Sequence, residues 1–191
     1  TWQRGRQIVT RERDRAEGPL REFVAELHAP GVPLTPVPGT AIFLHRGKQT
    51  APLALRANVE HNHVLHEQVV ILSLETLPIP RVPEEDRLEV DDLGSVGDGI
   101  THVNVRFGYI EKPDVPAVLR RLTPDQTEGQ IEVDEASYFL SKIELTRGPA
   151  RTMALWRKRL FIATAHITAD AAEYFGLPRH RTVIMGSRID V

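Results

Sequence analysis

Apolar residues recur at the spacing of amphipathic helices in several parts of the chain. Leu20, Phe23, Val24 and Leu27 follow an i, i+3, i+4, i+7 pattern, and Pro19 precedes them as a favourable first-turn residue. The basic opening segment, TWQRGRQIVTRERDR, is also predicted to be helical, although it has few apolar positions. Further helices are predicted from about Thr50 to Glu67, from Asp114 in KPDVPAVLRRL, and from about Thr152 to Phe175.

Between these helices lie short segments with the pattern of β-strands. Val69–Leu74 is continuously apolar, which is typical of a strand covered on both faces. Leu88–Leu93 and Ile100–Ile110 alternate apolar and polar residues on either side of GSVGDG, which predicts a hairpin. Further strands are predicted at Ala41–Leu44, Ser137–Leu140 and Thr182–Val191, the last with a β-bulge at Gly186.

Helices and strands that alternate in this way predict an α/β fold. We expect a layered sandwich with a mixed, largely parallel sheet flanked by helices. The stretch APGVPLTPVPG contains four prolines and is expected to be an extended linker. The chain is therefore predicted to have two parts: residues 1–38, which comprise the basic helices and the linker, and residues 39–191, which form the α/β domain.

Composition and charge narrow the classes of function. The 191 residues are 41% hydrophobic and 26% charged, as expected of one folded domain. The net charge of −2 gives no field that would attract nucleic acid. The absence of cysteine excludes disulfides and thiolate metal sites, and no apolar run approaches the roughly 20 residues of a membrane helix. Because the chain begins at Thr1 rather than methionine, we expect it to be part of a larger protein.

The segment RANVEHNHVLHEQVV concentrates polar side chains on one predicted helix. On that helix Asn58, Asn62 and His66 lie on the buried side among aliphatic residues, while His61, His63 and His66 point in separate directions. The order HxHxxHE also differs from the HExxH pattern of zinc peptidases, so a metal site is not predicted. Buried polar groups need partners. Asn58, Asn62 and His66 are therefore expected either to hydrogen-bond to neighbouring loops or to face a ligand at the sheet edge.

No catalytic or cofactor site is predicted elsewhere. The glycine-rich GSVGDG joins two strands instead of opening a helix, so it is not a phosphate-binding loop. The chain has no GxSxG motif and no thiol nucleophile. We therefore expect a protein that is not an enzyme and needs no cofactor.

Several motifs in order along the chain resemble the C-terminal region of the KUP (Kup/HAK/KT) family of potassium uptake transporters. The motifs are TWQRGR, VPGTAIFL, HNHVLHEQVVIL, VNVRFGYIEKPDVPAVL, SYFLS, MALWRKRLF and YFGLPRHRTVIMGSRIDV. Two positions depart from the family pattern: TAHIT stands where an Arg-Asn pair is common, and Ile184 stands where an acidic residue is frequent.

The resemblance implies the cytosolic domain of a proton-coupled potassium symporter at the plasma membrane. Its ion pathway would belong to membrane helices, so no ion-binding residue is assigned to this chain. The opening segment would then be a basic juxtamembrane helix, with Arg4, Arg6 and Arg11 near an anionic lipid surface. The expected partners are the transporter's own membrane part and a second copy in a homodimer. The main alternative is that the domain senses a nucleotide or cyclic dinucleotide.

Overall fold

The computed structural model describes residues 2–31, 33–94, 97–146 and 171–190. The helices in this part of the chain are α1 (Trp2–Glu17), α2 (Leu20–Leu27), α3 (Leu53–Glu60), α4 (Val115–Leu119) and α5 (Ala171–Tyr174). The strands are β1 (Thr35–His45), β2 (Val64–Leu77), β3 (Leu88–Asp91), β4 (Ile100–Gly108), β5 (Ser137–Thr146) and β6 (Thr182–Asp190). Two short 3₁₀ turns lie at Glu84–Asp86 and Arg179–Arg181.

The strands form one six-stranded sheet in the order β3-β4-β2-β1-β5-β6. Every neighbouring pair is parallel except β3 and β4, which form the predicted antiparallel hairpin. The predicted mixed, largely parallel sheet is therefore confirmed. No helix in the described ranges has the length and hydropathy that a bilayer crossing requires.

Helices cover both faces of the sheet and enclose two apolar cores. On one face, α2 and α3 pack over alternating residues of the central strands, and Phe43 stacks on Phe139 with ring centroids 4.8 Å apart. On the other face, α4, α5 and the loop residues around Val133 and Ala136 pack over the intervening side chains. This alternation along the strands gives the predicted layered sandwich, with helices flanking the sheet.

The segments with the clearest periodicity fold as predicted. All four periodic residues of α2 are buried, each with at most 8% of its surface exposed. Val69–Leu72 on β2 is buried on both faces of the sheet. Helix α4 begins directly after Asp114, whose carboxylate accepts a hydrogen bond from the Ala117 N–H at 3.0 Å.

The predicted helix from Thr50 to Glu67 is wrong in its second half. Helix α3 ends at Glu60, and His63 takes a left-handed conformation with φ of 55°. Strand β2 starts at Val64, so His66 lies on a strand. The cause is tertiary pairing, because Thr35–Val37 of β1 pairs with Val64–His66 and the His63 carbonyl accepts the Thr35 N–H.

Two other predictions differ from the structure, and two more are not decided by the described residues. The proline-rich stretch is not wholly a linker, since its second half belongs to β1. The predicted bulge at Gly186 is wrong, because β5 and β6 pair in unbroken register from Tyr138–Thr182 to Thr146–Asp190. Of the helix predicted over 152–175, residues 152–170 lie outside the described residues and Ala171–Tyr174 is helical. The division at residue 38 stays a prediction, with α2 contributing four residues to the core.

The motif RFGYIEKPDVP forms a tight corner at the end of β4. The Gly108 N–H and the Val82 N–H both donate to the Glu111 carboxylate, at 2.6 and 3.2 Å. Buried Arg87 donates to the same carboxylate at 2.7 Å and holds the pKa of Glu111 down to about 2. The Pro80 carbonyl lies so close to Gly108 that a Cβ there would come within 2.2 Å of its oxygen. The motif is therefore used as scaffold.

We predict that Gly108→Ala destabilises the chain by about 1–3 kcal/mol, because backbone atoms of Pro80 and Arg81 would have to move. Gly186→Ala is the matched control, since it is also a strand glycine and has no atom within 4 Å of the added Cβ. Urea unfolding of both variants measures the difference. Equal free energies of unfolding for the two variants would show that the backbone around Gly108 accommodates a Cβ without loss of stability.

Candidate functional site

The last residue of α1, Glu17, is completely buried although its helix is largely polar. Gly18 follows in a left-handed conformation with φ of 65°, and its N–H donates to the Asp14 carbonyl at 2.9 Å, which ends the helix. The chain then pairs with the loop that follows β1. The Leu20 N–H donates to the Gln49 carbonyl and the Ala51 N–H donates to the Gly18 carbonyl, both at 3.0 Å.

Side chains from two separate parts of the chain surround the Glu17 carboxylate. The Thr50 hydroxyl donates to Oε2 at 2.6 Å, and Arg46 donates to the same oxygen at 2.9 Å. Arg13, one turn earlier on α1, donates to Oε1. Arg46 also pairs with Asp14, so two arginines are balanced by two carboxylates. We call Glu17, Arg46, Thr50 and His45 the Glu17 clasp.

His45, the last residue of β1, completes the Glu17 clasp as a neutral side chain. Its Nε2 lies 2.9 Å from the Thr50 hydroxyl oxygen and 3.8 Å from Glu17 Oε2. Since the Thr50 O–H donates its hydrogen bond to Glu17, the Thr50 oxygen accepts one from the His45 Nε2–H. Burial lowers the pKa of His45 to about 4, even though the Glu17 carboxylate raises it.

The charge state of Glu17 follows from the same contacts. Burial raises the pKa of Glu17, but the hydrogen bonds from Thr50 and Arg13 lower it and together outweigh burial. The pKa of Glu17 therefore lies below the usual value for a glutamate. A buried carboxylate with several charge-assisted hydrogen bonds stays ionised at neutral pH. Removing one partner of such an arrangement leaves an uncompensated buried charge.

A second connection joins the end of α1 to helix α3. Arg56 of α3 donates from Nε to the Glu17 backbone carbonyl, and its guanidinium lies 4.4 Å from the centroid of the Phe23 ring. The first turn of α3 is held in turn by β5, because Ser141 accepts a hydrogen bond from the Ala54 N–H at 3.0 Å. The end of α1 is thus connected to β1, α2, α3 and, through α3, to β5.

The Glu17 clasp lies where α/β proteins commonly bind their ligands. The chain passes from β1 to β2 and β4 on one side of the sheet, and β5 and β6 continue on the other side of β1. The carboxyl ends of the strands at such a switch point border a crevice that receives ligands in many open sheets. Here Glu17 lies at the carboxyl end of β1. The arrangement therefore fixes the chain's own first helix at this position.

The three polar residues selected from the sequence, Asn58, Asn62 and His66, lie near the amino-terminal end of β2, whereas the Glu17 clasp lies at the carboxyl end of β1. Asn58 is 5% exposed, and its Oδ1 accepts a hydrogen bond from Asn62 at 2.9 Å. Asn62 is exposed in the turn after α3, so its predicted burial is wrong. His66 is half-buried on β2, with its ring centroid 6.0 Å from that of Phe139. Asn58 and Asn62 are brought together, and burial lowers the pKa of His66.

Two further polar arrangements have features of functional sites. Ser73 Oγ lies 2.9 Å from His102 Nε2, but both residues are at least 97% buried and are closed to a substrate. A cleft of about 170 Å³ is lined by charged residues including Arg87, Glu111 and Lys112. This volume is below the roughly 300 Å³ at which small-molecule pockets begin.

Sequence reasoning missed the Glu17 clasp. Glu17 is one charged residue among many on α1, and its partners Arg46 and Thr50 are 29 and 33 residues away. The available signals were the Gly18-Pro19 pair, which marks a helix end, and the HRGKQT segment directly after the apolar part of β1.

We predict that the stability of the chain falls as the pH decreases from about 6.5 to about 4, because unfolded His45 binds a proton in this range and folded His45 does not. The contribution of His45 is fully present above pH 6.5 and amounts to about 3 kcal/mol. Loss continues as the pH falls below about 4.5, because unfolded Glu17 binds a proton there while folded Glu17, whose pKa is lowered, still resists protonation. Urea unfolding across this pH range measures the slope.

His45→Gln is the control for this pH dependence, because glutamine keeps a donor for Thr50 without titrating. The variant is expected to lose stability less steeply between pH 6.5 and 4. An unchanged slope would assign the pH dependence to other groups, such as His66 and His102, whose pKa values are also lowered by burial.

Comparisons with known proteins agree in pointing to one family. A family model described as the K+ potassium transporter C-terminal domain matches residues 38–191. The chain is 69% identical over 191 residues to the probable potassium transport system protein Kup of Rhodococcus jostii (strain RHA1) and 36% identical to that of Herminiimonas arsenicoxydans. Each match spans the whole of this chain but only 29% of the relative's length.

A further relative matches over most of its own length. The probable potassium transport system protein Kup of Rhizobium tropici is 37% identical over 194 residues, which cover 99% of this chain and 87% of the relative. No solved structure matches the chain significantly. The resemblance seen in the sequence is thereby confirmed, and the chain belongs to the Kup family of potassium transport proteins, with the C-terminal domain of that family at residues 38–191.

Proposed function

We propose that the chain is the cytosolic regulatory and assembly domain of a proton-coupled potassium uptake symporter. It would lie on the cytoplasmic face of the plasma membrane, beside the membrane part of the same transporter. Family membership supports potassium transport as the setting. The observation that carries the regulatory role is the burial of Glu17, which fixes the end of α1 to the carboxyl end of β1.

In this proposal α1 couples a displacement at the membrane surface to a displacement of the sheet. Arg4, Arg6 and Arg11 lie along α1, and arginines next to a membrane favour the cytoplasmic side and anionic lipids. The far end of the helix is held by the Glu17 clasp and by Arg56. A shift of α1 would therefore move β1 and α3 together, or would break a buried charge cluster.

Assembly would be provided by β6, with a second copy of this chain as the partner. Strand β6 is at the edge of the six-stranded sheet, and Val183 and Ile184 are 45% and 56% exposed. Tyr174, at the end of α5, is 55% exposed. An edge strand offers unpaired backbone donors and acceptors for a second strand. Sedimentation at increasing concentration tests this, and a chain that stays monomeric at millimolar concentration would exclude it.

The alternative function is sensing of a small ligand such as a nucleotide or a cyclic dinucleotide. One observation favours it: in the described part of the chain, Asn58 Nδ2 is buried without a hydrogen-bond partner and could serve a ligand oxygen. The cleft of about 170 Å³ argues against a ligand of that size at Arg87. A thermal-shift series with nucleotides would detect binding to the folded chain, and no shift at saturating ligand would exclude it.

A chimeric transporter tests the regulatory role directly. This chain replaces the matching 29% of the Rhodococcus jostii relative, and potassium uptake is measured in cells that lack other uptake systems. We expect Glu17→Gln to change uptake per transporter by about fivefold or more, the lower range of allosteric coupling. Glu12→Gln is the matched control, because Glu12 is on the same helix and makes only a partly exposed pair with Arg15.

The amount of chimera in the membrane is measured in parallel. A fall in that amount with unchanged uptake per molecule would give the Glu17 clasp a role in folding only and would contradict regulation. An equal change in the Glu12→Gln and Glu17→Gln chimeras would show that the charge of α1 matters and the buried contacts do not.

A further inference from the structure

Two carboxylates lie together where the chain enters β4. Asp98 Oδ1 accepts a hydrogen bond from the Ile100 N–H at 2.8 Å, and Glu128 Oε2 accepts one from the Gly99 N–H at 3.4 Å. Two consecutive N–H groups are thus bound by carboxylates from two different loops. The loop before β4 and the loop before β5 meet at this point.

The second oxygen of each carboxylate has no hydrogen-bond partner among the described residues. Asp98 Oδ2 and Glu128 Oε1 are both buried, and the Asp98 side chain is 7% exposed. His28 Nε2 lies 3.9 Å from Asp98 Oδ2, beyond hydrogen-bond distance. The His28 contact is at ion-pair distance, but two buried carboxylate oxygens that accept no hydrogen bond are costly unless a proton or a cation compensates them.

The electrostatic setting agrees with an uncompensated negative charge. Burial raises the pKa of Asp98, and the neighbouring Glu128 and Asp92 carboxylates raise it further, against the lowering effect of the Ile100 N–H and His28. The two loops also pack closely on β2. A Cβ at Gly99 would lie 2.3 Å from the Glu67 carbonyl oxygen, so the backbone of this loop lies directly against β2.

We propose that Asp98 and Glu128 bind a hard divalent cation of the Mg²⁺ type through Oδ2 and Oε1. The described residues contain no group of three or more histidine or acidic side chains suited to a metal, so the remaining ligands are water or backbone oxygens. Mg²⁺ is commonly bound in this way, by one or two carboxylates with several retained waters. Two carboxylates do not form the ring of converging oxygens that selects potassium.

The bound cation joins the loop at 97–99 to the loop at 127–129. Both loops lead into parallel strands of the sheet, β4 and β5. Cation binding therefore stabilises the amino-terminal edge of the sheet, away from the Glu17 clasp at the carboxyl ends. The site is independent of the regulatory role proposed for α1.

The test is the unfolding midpoint of the whole chain, first stripped with a chelator and then titrated with MgCl₂ or with KCl at constant ionic strength. Mg²⁺ is expected to raise the midpoint saturably, because it binds the folded state, whereas K⁺ at the same ionic strength does not. Asp98→Asn and Glu128→Gln are expected to lose the response to Mg²⁺. Asp125→Asn, an exposed carboxylate in the same loop region, is the matched control and keeps the response.

Calorimetric titration of the unmutated chain with MgCl₂ gives a second measurement that does not depend on variants that fold. Saturable binding at millimolar Mg²⁺ or below supports the site. An absence of binding, or equal responses to Mg²⁺ and K⁺, overturns it. A chain that gains stability as the pH falls and ignores Mg²⁺ would show that Asp98 and Glu128 share a proton instead.

Discussion

The burial of one ionised carboxylate, that of Glu17, is the constraint on which the arrangement of the N-terminal part of this domain depends. A charge in that position is tolerated only if donors surround it, and Thr50, Arg46 and Arg13 supply them. These donors come from α1 itself and from the loop after β1. The polar helix α1, which has little apolar surface to bury, is therefore attached to the sheet by electrostatics and hydrogen bonds.

The position of this attachment places the end of the chain's own first helix where open α/β sheets commonly receive ligands. The crevice at the carboxyl end of β1 is where open sheets of this type receive small molecules, and here the end of α1 lies in it. In the proposed regulatory role, the contacts between α1 and the sheet would carry the signal. Asp98 and Glu128, the proposed cation ligands, lie at the amino-terminal edge of the sheet and are separate from this attachment.

Local sequence patterns correctly predicted those elements whose structure depends on interactions between residues close in sequence. The spacing of Leu20, Phe23, Val24 and Leu27 was sufficient for α2, because an amphipathic stripe has one way to be buried. The helix predicted through His66 failed, because pairing of β2 with Thr35–Val37 overrode the local pattern. The Glu17 clasp could not be read from the sequence, since burial of a glutamate depends on partners about 30 residues away.

The most direct measurement of the central claim is a double-mutant cycle between Glu17→Gln and Thr50→Val, followed by urea unfolding. Valine keeps the shape of threonine and removes the hydroxyl that donates to Glu17 at 2.6 Å. If the Glu17 clasp holds α1 to the sheet, the two changes will be coupled by about 1–3 kcal/mol, the range for hydrogen bonds to buried charges. Additivity within about 0.5 kcal/mol would contradict the account.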